Sequence, residues 1–70
     1  MKLKFNGEQT TMLNRIGFAF DVTGDLSDDQ VIELEDRVGD YYNTHGFDAD
    51  GEYTEVEPIL GGLLDIITAD

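Results

Sequence analysis

The chain has no cysteine, no tryptophan, a single proline and only four basic residues. Without cysteine, no disulfide can staple the fold and no thiolate can bind zinc. No apolar run approaches the roughly 20 residues that a helix needs to cross a bilayer. The basic start, MKLKF, leads into no long apolar stretch. The reading is therefore a chain without a signal peptide, cytoplasmic, and with no membrane partner. A length of 70 residues allows one domain, residues 1–70. A chain of that size buries only about 60% of its unfolded surface. Small unstapled folds rely on well-packed helices, a metal or self-association. A hydrophobic content of 40% is enough to build a core.

The scarcity of bases leaves a formal net charge of −12. The acids are not spread evenly. All but Glu8, Asp65 and Asp70 lie between Asp21 and Glu57, a span whose only base is Arg37. Such a surface repels nucleic acid and anionic membranes, and it attracts cations and basic proteins. It also favours a soluble monomer.

Patterning predicts an all-α, compact three-helix domain. Asn6 and Gln9 have the spacing of a capping box, and Met12, Leu13 and Ile16 form one apolar face behind it. Gly17 is placed to end this first helix in a left-handed conformation. Ser27 and Gln30 form a second capping box, with Asp28 and Asp29 in the first turn, where the helix dipole favours them. The second helix carries Val31, Leu34, Val38, Tyr41 and His45 as a stripe, with Gly46 as its stop. Glu33 and Arg37 are spaced for an ion pair, and Gly39 for close approach by another helix. Thr54 and Glu57 form a third box, opening a helix to about Thr68 over Val56, Leu60, Leu63 and Ile67. Gly61-Gly62 opposes that helix, but a hairpin there would place the flanking leucines and isoleucines on both faces, so a helix is favoured. Lys2–Phe5 alternates polar and apolar residues, and Phe18, Phe20 and Val22 alternate with Ala19 and Asp21. A short N-terminal extended arm is expected, either alone or paired with 18–22 as a two-stranded ribbon.

The chemistry-bearing stretch is GFDADGEYTEVE, residues 46–57. As an EF-hand loop it offers Asp48, Asp50 and Glu57 as metal ligands, and Gly51 at the turn position. Gly46 supplies no first carboxylate, however. A helix stop, a β-turn over Asp48–Gly51 and a helix start account for the same residues without a cofactor. His45, the sole histidine, makes a poor transition-metal site without cysteine and is read as a helix cap or core edge. No nucleophile–base pairing stands out, so the reading is non-enzymatic.

Asp29, Glu33, Asp36 and Asp40 are spaced to share one face of the second helix, with Asp28 at its start. They are the candidate partner-binding residues. Three readings follow: a protein-interaction domain for an unknown partner with a basic surface, a nucleic-acid mimic blocking a host DNA-binding enzyme, or a degenerate EF-hand-like cation module. None involves direct nucleic-acid binding.

KLKFN (Lys2–Asn6), IGFAFDV (Ile16–Val22), DLSDDQ (Asp25–Gln30) and ELEDRVGDY (Glu33–Tyr41) together resemble the small acidic transposon-encoded proteins of bacterial mobile elements. The resemblance covers about the first two-thirds of the chain. It implies an uncharacterised accessory protein of a mobile element, and it brings no functional residue with it.

Overall fold

The computed structural model describes residues 1–69, which form a compact all-α three-helix domain. Helix α1 spans Gly7–Ile16, α2 Asp28–His45 and α3 Glu57–Thr68. The first two begin where the capping signals place them. The Asn6 side chain accepts from the Gln9 N–H at 2.8 Å, and the Gln9 side chain accepts from the Asn6 N–H at 2.9 Å. Ser27 and Gln30 make the same reciprocal pair at 3.2 and 2.9 Å. Each pair satisfies two backbone N–H groups that a helix start otherwise leaves free. Gly17 ends α1 with φ of 85°, and its N–H bonds to the Leu13 carbonyl.

The core consists of Met12, Leu13, Val22, Leu26, Leu34, Val38, Leu60, Leu63 and Ile67. Burying each of these large aliphatic side chains contributes about 1.5–3 kcal/mol. α3 packs more extensively on α2 than on α1. Val22 and Leu26 join the core from the connection between α1 and α2, not from a helix. Leu26 directly precedes the Ser27 cap and, with Val31, occupies the positions of a hydrophobic staple that fixes how the chain enters a helix.

The two-stranded ribbon does not form. Among the described residues there is no strand, only an isolated antiparallel bridge between Phe47 and Tyr53. Leu3 and Phe5 do turn inward, and both pack on the core. The partner of the N-terminal arm is different, however. The Leu26 N–H bonds to the Met1 carbonyl at 2.7 Å, the Met1 ammonium bonds to the Leu26 carbonyl at 2.8 Å, and the ammonium also pairs with Asp25. The 18–22 segment is bent instead of extended. Asp21 Oδ1 accepts from both the N–H and the hydroxyl of Thr23, and the Asp21 carbonyl accepts from the Gly24 N–H. Local side-chain bonds of this kind compete with strand pairing.

α3 runs unbroken through Gly61-Gly62, so the hairpin alternative is excluded. It starts at Glu57, not at Thr54. No side chain caps it, and Val56 holds the N-cap position with helical backbone angles. Pro58 lies in the first turn, where its missing N–H removes one donor that would need a partner.

Arg37 and Gly39 also depart from expectation. Among the described residues the only ion pair is that of the Met1 ammonium with Asp25, so Glu33 and Arg37 do not pair. The Arg37 guanidinium lies over the Phe18 ring, 5.0 Å from its centroid. This contact exchanges a solvated surface ion pair, worth a few tenths of a kcal/mol, for a cation–π interaction of about 0.5–1 kcal/mol. At Gly39 an added Cβ would meet nothing within 4 Å, so no helix approaches there.

Candidate functional site

The 46–57 connection is built from hydrogen bonds that its own carboxylates help to make. Gly46 ends α2 as expected, with φ of −74° and ψ of −16°, a right-handed conformation that any residue can adopt. Space, not conformation, calls for a glycine: a Cβ at this position would lie 2.6 Å from the Tyr42 carbonyl oxygen. The chain then turns back on itself. The Gly51 N–H bonds to the Asp48 carbonyl at 3.0 Å, and the Asp48 N–H bonds to the Glu52 carbonyl at 2.9 Å. Gly51 has φ of 81°. This is a β-turn followed by a left-handed glycine, a common way to close a short hairpin.

The three residues proposed as metal ligands go to different places. Asp48 Oδ1 accepts from the N–H groups of Asp50 and Glu52, at 2.9 and 3.0 Å, and so holds the turn together. Asp50 is exposed at the tip. Glu57 is half-buried, and its Oε1 accepts from the Tyr42 hydroxyl at 2.9 Å. Among the described residues no three acidic, histidine or cysteine side chains gather as a metal site, so the structure does not bring Asp48, Asp50 and Glu57 together. The Tyr42–Glu57 bond ties the end of α2 to the start of α3. The accepting Glu57 carboxylate, partial desolvation and nearby negative charge hold the Tyr42 hydroxyl above its ordinary pKa of 10.0.

Thr54 is not a helix cap. Its hydroxyl donates to the His45 carbonyl at 2.6 Å, and its N–H donates to the Gly46 carbonyl at 2.9 Å. It therefore satisfies acceptors at the end of α2. His45 is the last residue of α2 and is exposed, so it stands at the helix end and not at the core edge. Its ring stacks on Tyr41, with centroids 4.0 Å apart and planes 14° from parallel. Tyr42, Phe47 and Tyr53 form a chain of ring contacts at 5.5 and 5.1 Å, and Tyr53 at its end is 69% exposed.

The acidic face of α2 is present as a surface. Asp28, Asp29, Glu33, Asp36 and Asp40 are all exposed, on the side away from buried Leu34 and Val38. Among the described residues none of these acids forms an ion pair, and the Arg37 guanidinium lies over the Phe18 ring. Ile32 stands three residues after Asp29 and four before Asp36, and it is 57% exposed. The sequence stripe of α2 skips Ile32, and that omission was the available signal of its exposure. A second feature has no sequence signal, because it joins distant segments. An open trough of about 670 Å3 runs between α1 and the approach to α3, lined by Met12, Arg15, Val56 and Ile59 among others.

No protein-family model matches the chain, and no curated protein or solved structure is significantly similar to it. None of the described helices is both long and apolar enough to cross a membrane. Any functional reading therefore rests on the surface itself.

Proposed function

We propose that this chain is a non-enzymatic protein-interaction domain whose acidic α2 face docks on a basic partner surface. The observation that carries the reading is the combination on that face: exposed Asp29, Glu33, Asp36 and Asp40, none of them in an ion pair among the described residues, and Ile32 standing 57% exposed among them. Unbalanced acids steer a basic partner toward the face and select against acidic ones. An apolar side chain within the field supplies contact area that charge alone does not. Ile32 also favours a protein partner over the mimic reading, because a phosphate backbone has no counterpart to an isolated aliphatic side chain. The cation reading gains no such support, since Asp48 and Glu57 are occupied in hydrogen bonds. The chain acts as a monomer, and it serves as an accessory protein of a mobile element, an assignment that rests on the segment resemblance alone.

The test is a titration with a lysine–leucine amphipathic peptide, following amide shifts and the Ile32 methyl groups. Saturable shifts confined to residues 28–40 are expected, weakening with added salt as exposed charge interactions do. Ile32→Ala should weaken binding severalfold, and the double change Asp29→Asn with Asp36→Asn should flatten the salt dependence. Diffuse, non-saturating drift would remove the proposal. Displacement of duplex DNA from a restriction or recombination enzyme, unaffected by Ile32→Ala, would move the assignment to the mimic.

A further inference from the structure

We draw no further inference here: the strongest candidate, the open trough between α1 and the approach to α3 over Met12, Val56 and Ile59, carries both acids and a base among its lining residues, and nothing in the structure shows what covers it.

Discussion

Two stretches of this chain carry the same helix-start signature and behave differently. Ser27-Asp28-Asp29-Gln30 and Thr54-Glu55-Val56-Glu57 both place a hydroxyl three residues before a side chain able to reach back. The first makes both reciprocal bonds and opens α2. The second makes neither: Thr54 donates to the end of the preceding helix, and Glu57 accepts from Tyr42. The difference lies in what surrounds each pair. Ser27 itself is extended, with φ of −76° and ψ of 166°, which suit an N-cap. Thr54 follows a hairpin that returns it to the α2 terminus, where unsatisfied carbonyls wait. A capping box is thus a statement about local chemistry that holds only while no nearer partner claims the groups.

The contrast can be broken or sharpened experimentally. The largest effect is expected at the crowded end of α2. Gly46→Ala places a methyl group 2.6 Å from a backbone oxygen that cannot swing aside, and it should cost about 1–3 kcal/mol in chemical denaturation. An unchanged midpoint would show that the hairpin can shift, and with it the position of Thr54. Next come the two hydroxyls. Ser27→Ala should cost about 1 kcal/mol and raise amide exchange in the first turn of α2. Thr54→Ala should cost about 0.5–1.5 kcal/mol, with faster exchange in the hairpin and no change in the first turn of α3. If exchange at the start of α3 rises instead, Thr54 is a cap after all and the contrast fails.

Gly39→Ala should act in the opposite direction. The site is helical and open, so alanine should stabilise by about 0.5–1 kcal/mol and raise the melting temperature. A loss of stability would mean that something approaches α2 at this point.

The smallest effect concerns the link between the two regions. Tyr42 has its hydroxyl pKa raised in the folded state. The proton bound there therefore favours folding below the ordinary tyrosine pKa near 10, and that contribution is lost as pH rises through the folded value. Tyr42→Phe should be less stable than the parent at neutral pH, and the gap should close in alkaline melts. A gap independent of pH would assign the loss to packing instead of the hydrogen bond to Glu57.

The helices were legible because their signals are short in range. The Asn6–Gln9 and Ser27–Gln30 boxes span three residues, and the stripes through Leu34 and Val38 and through Leu60, Leu63 and Ile67 repeat within a few turns. Even Gly61-Gly62 does not interrupt α3, because burial of its apolar face outweighs a propensity cost of roughly 2 kcal/mol. Leu26 and Val22 were harder to place in the core, since Leu26 lies on no periodic face and the alternation through Val22 pointed to a strand that does not form. The candidate site was legible as a list of acids on α2, with Ile32 left off the apolar stripe, but the roles of Asp48 and Glu57 were not.

The sequence by itself therefore determined an all-α chain, two capped helix starts, most of the core and an acidic outer face on α2. Tertiary structure decided what the versatile polar groups do. Arg37 meets Phe18, Thr54 meets His45, Glu57 meets Tyr42, and the N-terminal arm meets Leu26 instead of the 18–22 segment. Each of these partners is many residues away along the chain, and each replaces a nearer one that spacing made equally available. Intrinsic preferences separate such alternatives by only a kcal/mol or so, less than what packing contributes. The core fixes which groups come within reach, and the polar side chains then bond to what they find there.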